Sequence, residues 1–267
     1  MDKVIVSLTT ISTRIEKLHL TLSSLLEQDY PNFEVRVFIS RKPFLIDGGI
    51  QSLPPECHRL IRADPRLRLF YVPNIGPYRK LLPILTEASG TAALVATADD
   101  DTIYPANWLS LLCHYYRRFR CIIGFRGHQM FLENESWLNY RKWMTKGVQS
   151  NPSPLCLPTG KDGVLYNTSF FHPGVLDVQK ALSYAATTDD LWFKWHTAIL
   201  QVPVYLINTN FRSSSLENTN SGTSLYEQFN EKGGNDSAID LLEKYAAKEM
   251  GTTLSEAMLN SGVVRAP

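Results

Sequence analysis

An alternation of short apolar runs with helix-like spacing constrains the fold of this chain more than any other sequence feature. It persists through the first 120 residues and is the pattern of βαβ units built around a largely parallel sheet. Val4 to Leu8 reads as the first strand. Ile15, Leu18, Leu22, Leu25 and Leu26 then mark one face of a helix that ends at the turn signal Asp29-Tyr30-Pro31-Asn32. Glu34 to Ile39 and Leu67 to Val72 supply the second and third strands. A helical stretch from Leu81 to Glu87 follows Gly76-Pro77, and Ala92 to Ala98 forms a fourth strand, expected to be fully buried. Trp108, Leu111, Leu112, Tyr115 and Phe119 close this half as an amphipathic helix.

The second half is less regular. It holds a Pro/Gly/Ser-rich stretch from Gly147 to Gly163, a helix from Asp189 to about Leu200, and a polar segment from Asn208 to Gly222 without apolar periodicity. That segment is too long for an ordinary connection and is expected to be either disordered or a functional loop that closes over a ligand as a lid. A last helix is expected to begin near Ser237, whose hydroxyl, following Asn235-Asp236, is the expected cap. At 267 residues and 44% apolar content, the chain suits one large α/β domain.

A formal net charge of +1 excludes a general nucleic-acid binder, which needs clustered excess basic charge. Cys57, Cys113, Cys121 and Cys156 show no zinc-ligand spacing, which fits a reduced, cytoplasmic setting. The apolar run at the start is too short for a signal peptide, and no run approaches the roughly 18 apolar residues of a spanning helix. At most the chain would lie on a membrane, at its inner face.

Chemistry concentrates at Asp99-Asp100-Asp101, directly after the fourth strand. Ligands of open α/β sheets bind outside the carboxyl ends of the strands, so these acids stand where a site would be. Three successive carboxylates repel one another, and a divalent cation (Mn²⁺ or Mg²⁺) bridging diphosphate oxygens would relieve that repulsion. Capping or Asx turns are the competing use of such acids.

The run TADDDTIYPANWL resembles the D-x-D region of GT-A-fold glycosyltransferases, especially bacterial enzymes that build surface polysaccharides. The resemblance implies that Asp99 contacts the nucleoside and binds metal, that Asp101 binds the metal holding the donor diphosphate, and that Asp100 assists either. Other segments match in the same order. Thr9, Thr10 and Arg14 after the first strand, Ser40 after the second, and Lys80 of GPYRK stand where such enzymes contact the nucleotide. GKDGVLYNTSFF, from Gly160 to Phe171, resembles the loop that lines the sugar pocket, and Thr187 to Phe193 resembles the x-E-D motif, with Asp189 in place of the usual Glu. In inverting members the second acid, here Asp190, is the base.

Neighbouring helical positions point roughly 100° apart, so Asp189 and Asp190 cannot both face one substrate atom. His128, His172 and His196 are further candidate contacts, and Arg117, Arg118 and Arg120 with Arg141 and Lys142 offer basic surface for anionic lipid.

The expectation is thus a single GT-A-like α/β catalytic domain over residues 1–267, with a nucleotide-binding half (1–120) and an acceptor-binding half (121–250). It would move a hexose from a UDP-sugar or similar nucleoside diphosphate sugar to a glycan or lipid-linked glycan. Peripheral membrane or biosynthetic-complex association is part of that expectation. A nucleotidyltransferase is the rival enzyme, but its Gly-rich loop after the first strand has no counterpart between Thr9 and Arg14. A sugar- or nucleotide-binding module without turnover is the rival from outside the enzymes.

Overall fold

A computed structural model describes residues 1–209, 211, 214–216, 226–230 and 233–263. Most of the expected lid, Asn208 to Gly222, lies outside these residues. In chain order the first half holds β1 (Val4–Thr9), α1 (Leu18–Leu26), β2 (Phe33–Ile39), α2 (Pro55–Ala63), β3 (Leu67–Tyr71), α3 (Leu82–Glu87), β4 (Leu94–Thr97) and α4 (Trp108–Phe119). Then come β5 (Ile122–Gly124), β6 (Gly127–Gln129), β7 (Leu132–Glu133), β8 (Ser136–Trp137), α5 (Tyr140–Thr145), β9 (Cys156–Pro158) and β10 (Val164–Asn167). The chain continues with α6 (Val178–Ala185), α7 (Asp189–Ala198), β11 (Val204–Leu206), α8 (Gly234–Met250) and α9 (Leu254–Asn260).

Seven strands form the central sheet in the order β11-β5-β10-β4-β1-β2-β3. β1 pairs in parallel with β2 and β4, β2 with β3, and β5 with β11. β10 runs against both β4 and β5 and joins the two parallel groups. Because Val164 opposes Thr97, the loop leading into β10 meets the carboxyl end of β4.

Strand alternation sorts the core onto two faces. Val4, Val6, Leu8, Leu94, Ala96, Ile123 and Leu165 pack with α1 and α4 on one side. Val95, Ile122, Val164, Tyr166, Val204 and Leu206 pack with α3, α7 and α8 on the other. Among the described residues no helix is long and apolar enough to cross a membrane.

The seven elements expected in the first half are present, with β4 shorter than the apolar run that signals it. Two readings are corrected. Pro55 opens a helix, α2, in a stretch with no expected element, where a proline at the first helical position costs no backbone bond. α8 starts at Gly234, with Gly233 in the left-handed region, so Ser237 lies within the first turn and its hydroxyl donates to Gly233 O. Asp236 instead accepts the backbone N–H of Tyr140 and ties α8 to α5.

Candidate active site

β4 is buried along its whole length and releases the chain at Ala98, so the next three residues emerge at the carboxyl end of the sheet. Neighbouring elements hold each acid there. The Thr10 hydroxyl donates to Asp100 Oδ2 at 2.6 Å, and Arg14 Nη1 donates to Asp100 Oδ1 at 3.0 Å. Thr21 of α1 donates to the Asp100 carbonyl. Arg14 also stands 3.4 Å from Asp101 Oδ2, and Lys80 Nζ stands 3.6 Å from Asp99 Oδ1. Lys80 is set by its backbone, since its carbonyl accepts the Ser7 hydroxyl of β1 at 2.5 Å.

These groups surround a cavity of about 260 Å³. Thr9, Thr10, Arg14, Lys80, Asp99, Asp100 and Asp101 all line it, which brings together seven of the site residues expected from the sequence. Ser40 does not line it. It is buried at the end of β2, where its Oγ accepts the Lys42 N–H. Both oxygens of Asp100 are engaged by Thr10 and Arg14, so its carboxylate fixes two other wall residues.

The opposite wall went unread in the sequence. Phe44, Leu45 and Ile46 form an apolar side, and Asp47 beneath them pairs with Arg79 at 2.9 Å, both nearly excluded from solvent. Asp47 also accepts the N–H groups of Ser12 and Gly49, which pins its loop to the end of β1. Breaking such a buried pair by removing one partner costs about 3–5 kcal/mol. Arg79 donates to Gly76 O and Thr10 O, while its Nη1 is buried with no hydrogen-bond partner among the described residues. Gly76 turns the chain here at φ +61°, with Leu45 and Phe44 against the place a side chain would fill.

The two acids at the start of α7 diverge as helix geometry requires. Asp190 Oδ2 accepts the Gly160 N–H at 2.9 Å, whereas Asp189 is buried and its Oδ2 has no partner among the described residues. Neither lines the cavity. They reach it through Gly160 and Lys80, since a Cβ on Gly160 would stand 2.8 Å from Lys80 Nζ and 2.9 Å from Asp190 Oδ1. The same loop is held from its other end by Asp99, whose Oδ2 accepts the Asp162 N–H at 3.1 Å. One tight loop therefore connects the acids after β4 to the acids of α7.

The charges interact strongly. Burial, then Asp99 and Asp100, push Asp101 up to about 6, against the pull of Arg14 and Lys161. Burial, then Asp189, push Asp190 up to about 7. Burial lowers the Lys80 ammonium, but Asp99, Asp189, Asp190 and Asp100 together hold it above the usual lysine range. The cluster thus carries more negative charge than its own cations offset at Asp101, the condition a divalent cation would relieve. Among the described residues no three His, Cys, Asp or Glu side chains converge as a metal shell. Two carboxylates with diphosphate oxygens and water still match the way Mg²⁺ is commonly bound.

The histidines are placed apart from this cavity. His196 is fully buried against His172, Trp192 and Tyr245, and burial, then His172, press it down to about 3. His172 accepts the Gly174 N–H, and His128 packs edge-on against Tyr140. Trp192, Phe193 and Trp195 are core residues, with both indoles hydrogen-bonded internally.

No protein-family profile matches the chain, and no curated protein does. Solved structures do resemble it. S. aureus TarS 1-349 aligns over 100% of this chain and 76% of its own, at TM-score 0.51 and 15% identity. The same protein in complex with UDP-GlcNAc aligns over 97% and 75%, at TM-score 0.51 and 13% identity. A third structure, S. aureus TarS 1-349 in complex with UDP, aligns at TM-score 0.49 and 16% identity, over 78% of this chain and 59% of its own. At such identities the likeness is one of fold, and the fold is the GT-A-like α/β architecture.

Proposed function

We propose that this protein is a metal-dependent glycosyltransferase that moves a hexose from a nucleoside diphosphate sugar to a hydroxyl of a glycan or lipid-linked glycan. The observation that carries this reading is the convergence, at the carboxyl end of β4, of an acidic cluster, two cations and a cavity, with a second pair of acids one loop away. The fold neighbour in complex with UDP-GlcNAc supports a uridine donor.

In this reading the base and ribose occupy the wall formed by Thr9, Thr10 and Phe44 to Ile46. The unpartnered Arg79 Nη1 supplies a buried donor for a carbonyl or hydroxyl there. Arg14 and Lys80 face the diphosphate. Asp101 and Asp99 would hold a divalent cation, Mn²⁺ or Mg²⁺, which would neutralise the leaving diphosphate.

Asp190 takes the proton of the acceptor hydroxyl as its oxygen bonds to the anomeric carbon from the face opposite the departing diphosphate. Direct displacement of this kind inverts the anomeric centre. Asp189 is buried, which pushes its carboxyl above the usual range against the pull of Lys80, and it positions the start of α7. The first 120 residues form the nucleotide-binding half and residues 121–250 the acceptor-binding half of one catalytic unit. Free, buried cysteines at all four positions suit a cytoplasmic setting.

Calorimetric titration of UDP into the wild type and Asp101→Asn, each with Mn²⁺ or with chelator, tests the reading. Binding should be tight only for the wild type with metal. Equal affinity in all four conditions would sink it.

A further inference from the structure

The last two turns of α4 carry a surface that catalysis leaves unused. Tyr115 and Phe119 stand one turn apart and both stack on Tyr205 of the edge strand β11, with ring centroids 5.0 and 4.2 Å away. All three rings are half-exposed, and the side chains of Arg117, Arg118 and Arg120 beside them are exposed.

Exposed arginines without an ion pair among the described residues stand elsewhere too, at Arg41, Arg62, Arg68 and Arg141, but here three fall within four residues, whereas other arginines are paired. Arg36 pairs with Glu34 and Glu87, Arg59 with Glu56, and Arg66 with Asp64. Arg117, Arg118 and Arg120 form no ion pair among the described residues. Asp2 shares with Arg117 the neighbourhood of Tyr30 and Cys113, without an ion pair between them. In a chain of net charge +1, three uncompensated cations are thus gathered on one turn. The guanidinium of Arg118 lies 5.2 Å from the Phe119 centroid and that of Arg120 5.6 Å from that of Tyr116, so the charged groups themselves stand beside the rings while both side chains remain exposed.

We propose that this aromatic and arginine patch seats the protein on a membrane surface rich in anionic lipid. The arginines meet headgroup phosphates and the three rings enter the interfacial layer. Charge without rings would suit any polyanion, and rings without charge would suit an apolar partner. Arg118, three residues from Tyr115, shares the side of the rings, and the combination of rings and charge at this end of α4 matches a layered surface with phosphate outside and hydrocarbon beneath.

The test is co-sedimentation of the full chain with vesicles of phosphatidylcholine alone and of phosphatidylcholine mixed with phosphatidylglycerol. Binding should occur only with the mixed vesicles and weaken with salt. Arg118→Ser should lower the partition coefficient about fivefold, and adding Arg117→Ser about twenty-five-fold in all, from about 1 kcal/mol per basic residue. Arg59→Ser, on the exposed face of α2, removes the same charge elsewhere and should leave binding unchanged. All three positions are exposed, and melting temperatures close to that of the wild type would show that the variants are folded. Equal binding to both vesicles, binding to neither, or an equal loss with Arg59→Ser would overturn the proposal.

Discussion

At the scale of single residues, Asp190 combines two demands that oppose each other. Held at about 7 rather than the ordinary 3.8, its carboxyl keeps a proton in the folded protein that the unfolded chain releases. Stability therefore falls as pH rises from about 4 to 7, because the folded state binds more protons throughout that window. Asp190→Asn removes this cost and should melt higher than the wild type at pH 8. The same substitution deletes the base, so kcat should fall by about 10²–10⁴ with donor affinity nearly unchanged. In the wild type, kcat should decline on the acid side of about pH 7, where the base becomes protonated. A scan of melting temperature and turnover against pH checks both halves, and near-normal turnover of the variant would exclude Asp190 as the base.

At the scale of elements, the loop entering β10 carries the coupling between donor and acceptor chemistry, since Asp99 and Asp190 each accept one of its N–H groups. Gly160→Ala introduces no backbone strain, for Gly160 is not in the left-handed region, but its Cβ would press on Lys80 Nζ and Asp190 Oδ1. Both are ends of side chains that can swing aside. The fold should persist while kcat drops by as much as about 10²-fold, the scale of a 1 Å misplacement. Steady-state kinetics beside a thermal melt separates the two effects.

The acids of this arrangement were legible because Asp99 to Asp101 follow a buried strand and Asp190 opens a strongly apolar helix. The wall opposite was not. Asp47 sits in a loop that reads only as a turn, and its partner Arg79 lies 32 residues on, a pairing no local pattern encodes. Arg79 and Lys80 are adjacent basic residues, and only the tight turn from Gly76 to Lys80 decides that one faces Asp47 and the other Asp99. The fold shows the same division. β1 to β4 announce themselves by apolar runs, whereas β5, β10 and β11 have three or four residues each and draw their strand character from neighbours far along the chain.

At the scale of the whole molecule, the two core layers share every central strand, so neither can be lost alone. Trp108 lies in one layer and Trp192 and Trp195 in the other, so intrinsic fluorescence reports on both. Thermal unfolding followed by fluorescence and by far-UV circular dichroism should show one shared midpoint, whereas two separated transitions would show the halves to be independent. α4 begins at the site, where the Trp108 indole donates to Asp162 O, and its 12 residues span about 18 Å to the arginine patch. A protein seated by that patch would hold its cavity well off the lipid, facing the projecting end of a long acceptor. The placement of β10 also bears on how the chain is made. While the ribosome has released only the stretch through α4, the outer edge of β4 has no partner, and the strand that will cover it is about fifty residues from being synthesised. The nascent protein must therefore carry an open sheet edge through a substantial part of its translation, the interval in which a chaperone or a premature stop would matter most.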